Sequence, residues 1–299
     1  MSIRVQEVSK RYGKQKALKH VSFDIQKGEV VGFLGPNGAG KSTMMKIITG
    51  FVPQSCGLVE VNGLNIEKHS LEVRRQIGYL PEHNPLYLEM YVKEYLDHVA
   101  SIYKLGKSKK TRIAEMIDLT GLGLEQNKKI GALSKGYRQR VGIAQALIHD
   151  PKVVILDEPT TGLDPNQLVE IRNLIQEIGK QKTVMLSTHI MQEVEACCER
   201  ALIISKGTLV ADKKIENLSS ELSSKIIEVE FASEISLEIL NQHKGIKEVI
   251  ALGDNRFGIS SSEDIRKEIF QMAVKNKWEL LEMKSQTQRL EDLFHKLTR

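Results

Sequence analysis

The sequence predicts an α/β protein: a parallel or mixed core interrupted by a helical subdomain, then a small α+β domain. Three observations predict it. Short apolar runs at Val153–Leu156, Val184–Ser187 and Ala201–Ser205 read as buried strands, and helical periodicity over Gln167–Ile178 lies between the first two. Residues from about 86 to 150 read as mainly helical, an insertion into that core. Beyond a polar, serine-rich stretch at 217–224, short strand and helix patterns alternate again. The expected division is 1–216, with its helical subdomain at about 86–150, and 217–299.

Taken in order, the chain opens with strand patterns at IRVQEVSKRY, ALKHVSFDIQ and EVVGFLG; the last enters a glycine-rich turn. Ser42–Thr49 has helical character, 66–80 looks helical, and a strand reaches Gly78–Pro81. In the second domain, KIIEVEF alternates like a strand, IKEVIAL and RFGIS flank the turn GDN, Glu263–Lys277 is helical and WELLEM is strand-like. Leu290, Leu293, Phe294 and Leu297 then share one helical face. With a helix also expected between KIIEVEF and IKEVIAL, the order β-α-β-β-α-β-α suggests a ferredoxin-like arrangement.

A net charge of +5 is spread over the 299 residues, so no nucleic-acid partner is expected. The densest basic run, KLGKSKKTR at Lys104–Arg112, reads first as a solvated face and second as a patch for acidic lipid headgroups or a partner. Cys56, Cys197 and Cys198 have neither disulfide nor zinc spacing and read as reduced packing residues of a cytosolic protein. The charged opening MSIRVQEVSKRYGK is not expected to be a signal peptide, and no apolar run is long enough to span a bilayer. Any membrane-spanning helices must then come from another chain.

Gly35–Ser42 reads GPNGAGKS, a full match to GxxxxGK followed by Ser or Thr, between a strand and a helix. Backbone N–H groups of such a turn wrap phosphate oxygens, and the helix that follows points its positive end at the same place. Gly35, Pro36, Asn37, Gly38, Ala39, Gly40, Lys41, Ser42 and Thr43 are the candidate phosphate-binding residues, with Lys41 toward the β/γ-phosphates and Ser42 toward Mg²⁺. VVILDEP ends a buried strand in two carboxylates: Asp157 would hold Mg²⁺ through water, and Glu158 would act as general base on the attacking water. LSKGYRQR places Ser134 and Gly136 at a second helix start suited to an anion. A second anion site is most useful if it serves the nucleotide of another subunit.

These motifs, in this order, resemble the ABC ATPases over roughly residues 1–215. LSKGY resembles that family's signature, with Lys135 and Tyr137 replacing its usual glycine and glutamine. The resemblance implies further roles. Tyr12 would stack on adenine, Asp164 in TGLDP would belong to the loop between subunits, and His189 would contact the γ-phosphate. Glu82 stands where the family usually has a glutamine near Mg²⁺; the same loop couples to the membrane subunit in the family.

The implied activity is ATP hydrolysis with Mg²⁺ by a head-to-tail dimer, either two copies of this chain or one copy with a paralogous ATPase. Each ATP would lie between one subunit's Gly35–Ser42 and the other's Ser134–Gly136. The implied partner is a membrane-spanning permease subunit, and the implied location is cytoplasmic, on the inner face of the cell membrane. GYLPE, LSKGYRQR, EVEACCERALIISKGTLV and QRLEDLFHKL are closest to an exporter-like branch, and GYLPEHNPLYLEMYVKEYL is similar to its gliding-motility-associated ATPases. The alternative is a soluble ABC ATPase acting on ribosomes or DNA; a single phosphate loop and no inserted coiled coil or zinc module speak against it. The C-terminal domain shows no catalytic cluster and reads as regulatory or dimer-stabilising.

Overall fold

A computed structural model of the chain describes residues 1–221, 225–233, 235, 240, 245–261, 264–287 and 290–298. They form two units, Met1–Ile215 and Glu216–Leu297.

The first unit holds two sheets. Strands β1 (Ile3–Tyr12), β2 (Gln15–Ile25), β4 (Cys56–Val61) and β5 (Leu64–Asn65) form an antiparallel sheet in the order β2-β1-β4-β5. Strands β3 (Val30–Leu34), β6 (Ile77–Leu80), β7 (Val153–Asp157), β8 (Thr183–Thr188), β9 (Arg200–Ser205) and β10 (Thr208–Lys214) form the other, in the order β10-β9-β3-β8-β7-β6. All pairs of this second sheet are parallel except β10 on β9. Every residue of β3, β7 and β8 is buried. Strands covered on both faces read as continuous apolar runs, which is why their periodicity is flat.

Helix α1 (Lys41–Ile48) follows the glycine turn; its Met44, Met45, Ile47 and Ile48 share one core with Val5 and Phe23 of the antiparallel sheet and Phe33 and Ile155 of the parallel one. The remaining helices of the core are α2 (Ser70–Gln76), α6 (Pro165–Gly179) and α7 (Met191–Cys197). The helical subdomain contributes α3 (Val92–Ile102), α4 (Lys109–Leu119) and α5 (Lys135–Leu147).

Several elements differ from the sequence reading. The helix expected over 66–80 is confined to α2, because β6 begins at Ile77. Strands β4 and β5 had no counterpart in that reading. Strand β5 is two residues long, and β4 is held by tertiary pairing that sets Val59 opposite Val5 and Val61 opposite Ile3. The polar edge strand β10 was also missed; it alternates between exposed and half-buried positions. Helix α8 (Ile215–Glu221) runs into the serine-rich stretch, where Leu218 is buried.

In the second unit, β11 (Lys225–Phe231), β12 (Ile246–Gly253), β13 (Arg256–Ser261) and β14 (Leu280–Thr287) pair antiparallel in the order β12-β13-β11-β14. That is the ferredoxin-like order. Helices α9 (Arg266–Asn276) and α10 (Leu290–Thr298) complete the described elements. The helix expected between β11 and β12 falls largely outside the described residues.

His149 is a part-buried titratable group of the first unit. The His149 ring stacks on Tyr103 at 3.9 Å, and its Nε2 donates to the Ile77 carbonyl at 3.1 Å. Burial pushes its pKa down to about 4. The unfolded chain binds a proton near pH 6.5 that the native state refuses, so this contribution is complete above pH 6.5 and is lost as pH falls toward 4. His149→Gln should flatten the fall of the urea midpoint between pH 7 and pH 5. An equally steep fall in the variant would remove the assignment.

Candidate nucleotide site

Strand β3 delivers the chain into the glycine turn, and the packing there explains the residues used. A Cβ on Gly35 would come within 2.5 Å of the Ile204 carbonyl oxygen. Gly40, the N-cap of α1, has φ +112°, a backbone position open to glycine. The turn closes round Lys41, whose Nζ donates to the carbonyls of Gly35 at 2.7 Å and Pro36 at 3.4 Å. The same Nζ lies 3.2 Å from Glu158 Oε1, with both side chains buried.

Strands β7 and β8 are adjacent and place Asp157 opposite Ser187. Asp157 Oδ1 accepts hydrogen bonds from Ser42 Oγ at 3.3 Å and from Ser187 Oγ. Burial raises the Asp157 pKa; the nearby charges of Glu82 and Glu158 raise it further, while the two hydroxyls pull it down. Glu158 sits at φ +50°, a costly position for a non-glycine residue. Its N–H is held by the Ser187 carbonyl and Ser187 Oγ, both at 3.1 Å. Its carboxylate accepts from Thr161 Oγ1 at 3.1 Å and faces His189 Nδ1 at 3.0 Å. His189 stands at the end of β8, where Thr188 Oγ1 braces the turn: it donates to Glu193 at 2.6 Å and accepts from the Ile190 N–H at 3.1 Å.

Lys41, Ser42, Glu158, Thr161 and His189 open into one cavity of about 650 Å³, and Asp157 borders a second that shares Ser42 and Glu82 with it. Tyr12, Asn37, Gly38, Gly40, Lys41, Ser42, Thr43, Glu82, Glu158 and His189 all line the first. Tyr12 ends β1 and is 45% exposed, with Lys10 Nζ 5.1 Å from its ring centre. Glu82 follows β6, the neighbour of β7, which explains its approach to Asp157. Gly35 and Pro36 serve through their carbonyls on Lys41, and Ala39 is buried behind the turn.

The Ser42 hydroxyl and the carboxylates of Asp157 and Glu82 are hard oxygen donors in a corner whose excess negative charge calls for a cation. They fit Mg²⁺, which takes one or two protein carboxylates and completes its shell with phosphates and water. Among the described residues there is no all-protein metal cage.

Three expected residues stand elsewhere. Ser134 and Asp164 are N-caps, of α5 and α6; Ser134 Oγ accepts from the Tyr137 N–H at 3.4 Å and Asp164 Oδ1 from the Gln167 N–H at 2.9 Å. Gly136 is buried against the Gln167 side chain. None of the three lines the cavity. Residues absent from the sequence reading also border it, among them Lys16, Lys19 and the turn Lys206–Gly207. The Gly207 N–H donates to the Ala39 carbonyl at 3.0 Å, and the Gly207 carbonyl accepts from the Lys19 N–H at 2.8 Å. The β9–β10 turn thus backs the phosphate loop. No local motif marks it, because its role comes from sheet order.

A family model described as ABC transporter matches residues 18–161. The bacitracin transport ATP-binding protein BcrA of Bacillus licheniformis is 33% identical over 298 residues, covering 99% of this chain and 96% of that protein. Among solved structures, cbiO1 from Clostridium perfringens, part of the ABC transporter complex cbiONQ, is 30% identical with a TM-score of 0.68, covering 73% of this chain and 90% of that one. The ATP-binding cassette MJ0796, solved as a dimer in a post-hydrolysis state with ADP and Pi, is 28% identical with a TM-score of 0.65, covering 71% and 98%. A likeness running the length of BcrA and a shared cassette fold have one source: this chain belongs to the ATP-binding subunits of ABC transporters.

Proposed function

We propose that the chain hydrolyses ATP in a head-to-tail dimer and thereby drives a separate membrane-spanning subunit from the cytoplasmic face of the membrane. The second chain is another copy or a paralogous ATPase. One observation carries this reading: a single cavity gathers Tyr12, the phosphate loop, Glu158 and His189, while the exposed Ser134 at a second helix start lies outside it. A helix N-terminus presents unpaired N–H groups to an anion, and Ser134 can meet a triphosphate only from across a subunit boundary.

Phosphoryl transfer to water needs positioning and charge neutralisation more than covalent chemistry. Tyr12 stacks on the base. Lys41 and the loop amides take the β/γ-phosphates. Ser42, Asp157 and Glu82 would hold Mg²⁺, which would neutralise charge on the phosphate oxygens. Glu158 takes the proton of the attacking water, and His189 braces the γ-phosphate. Loss of that phosphate removes the anion that Ser134 and Gly136 of the other chain grip, and the dimer opens.

The likeness to BcrA, named for bacitracin transport, supports the exporter-like branch. The link to gliding motility rests on GYLPEHNPLYLEMYVKEYL alone. No observation favours the ribosome- or DNA-acting alternative. A regulatory or dimer-stabilising role for 217–299 remains part of the proposal; truncation before Glu216 should weaken self-association or change turnover.

The dimer is tested by light scattering. In a Glu158→Gln background, ATP should double the mass, and adding Ser134→Arg should hold the chain as a monomer while its ATP affinity stays unchanged. A double variant that still dimerises, or one that loses ATP binding as a monomer, would count against shared sites.

A further inference from the structure

The stretch from Ile102 to Arg112 carries five cationic residues and no carboxylate. It forms the corner between α3 and α4, through a 3₁₀ turn at Gly106–Ser108. Two of the cations are held within the subdomain: Lys109 Nζ lies 2.7 Å from Asp97 Oδ2 and Arg112 Nη1 lies 2.6 Å from Glu115 Oε2. Lys104, Lys107 and Lys110 are exposed, and none has an ion-pair partner among the described residues. The first turn of α4 contains no acidic residue, so the positive end of that helix adds to the same field. Ile102, two residues before Lys104, is 64% exposed.

Three unpaired lysines alone would read as a solvated face. An exposed isoleucine beside them changes the argument, because one class of surface offers both anionic phosphates and an apolar layer beneath them. A free phosphate or nucleotide would satisfy the lysines and leave Ile102 in water. We propose that the α3–α4 corner docks on an anionic lipid bilayer, with Lys104, Lys107 and Lys110 at the headgroup phosphates and Ile102 at the headgroup–acyl boundary. This contact is made by the ATPase chain itself. It adds to any hold that a membrane-spanning subunit provides and does not rest on the proposed hydrolysis mechanism. None of the four residues lines the nucleotide cavity.

The test uses the full chain without a membrane subunit, sedimented with vesicles of phosphatidylcholine alone or with about 30% phosphatidylglycerol. The chain should pellet with the anionic vesicles only, and rising ionic strength should release it. K104Q/K107Q/K110Q should lower the binding constant roughly a hundredfold, and Ile102→Ser should lower it severalfold. ATP turnover of the isolated variants should match the unaltered chain, which also certifies their fold. K267Q/K275Q/K277Q makes the same charge change on exposed lysines of the second unit and should keep full binding.

No binding to anionic vesicles, equal binding to phosphatidylcholine, or equal loss in both triple variants would overturn the proposal. So would release by about 10 mM inorganic phosphate at constant ionic strength, which would mark a phosphate site instead.

Discussion

Replacing Glu158 by Gln is expected to lower ATP hydrolysis by roughly 10²–10⁴-fold and to leave ATP bound in a closed dimer. The amide keeps the shape of the carboxylate but cannot accept the proton of the attacking water. The structure adds a second, independent consequence. Glu158 is the carboxylate beside the buried Lys41 ammonium at 3.2 Å, and its other oxygen faces Thr161 and His189. The amide oxygen can still accept from Lys41, but the buried ammonium then has no counter-charge beside it, a loss of about 1–3 kcal/mol. ATP restores the missing anion. Thermal melts should therefore show a lower Tm for the nucleotide-free variant and a larger rise on adding ATP than in the unaltered protein. Turnover near normal would sink the role of Glu158 as base, and an unchanged Tm without ATP would sink the buried pair.

Lys41→Ala is expected to weaken ATP binding by roughly 10²-fold or more and to suppress turnover with it. A charge-assisted hydrogen bond contributes about 1.5–3 kcal/mol, and in the proposed complex the ammonium would face two phosphates. Lys41 also ties the turn together, because its Nζ spans two loop carbonyls while pairing with Glu158 across to β7. Lys41→Arg separates these effects. It keeps the charge, but its planar fork does not fit a socket built for a compact ammonium. It should bind ATP better than the alanine variant and still turn over poorly. Competition with a fluorescent ATP analogue reads the affinity; a value unchanged in Lys41→Ala would rule out the phosphate contact.

The parts of the site that could be read from sequence are those made by contiguous residues. GPNGAGKS between a strand and a helix, and Asp157–Glu158 at the end of an apolar strand, carry their chemistry in local backbone geometry. Local spacing therefore reveals them. The same holds for Ser134 as a helix start, since capping depends on three or four neighbouring residues. Strands β4, β5 and β10 are different. Strand β5 is short and β10 polar, and all three exist because a partner strand supplies their hydrogen bonds.

Composition, motif order and helix caps determined the fold class, the phosphate loop and the adjacent carboxylates, because each depends on interactions within a few residues. Tertiary structure alone decided that Lys41 rests on Glu158, that His189 faces the same carboxylate, and that the β9–β10 turn supports Ala39. It also set Ser134, Gly136 and Asp164 outside the cavity. The reason is physical. The order β10-β9-β3-β8-β7-β6 brings strand ends from distant parts of the chain to one edge, and a linear pattern does not encode which strands become neighbours.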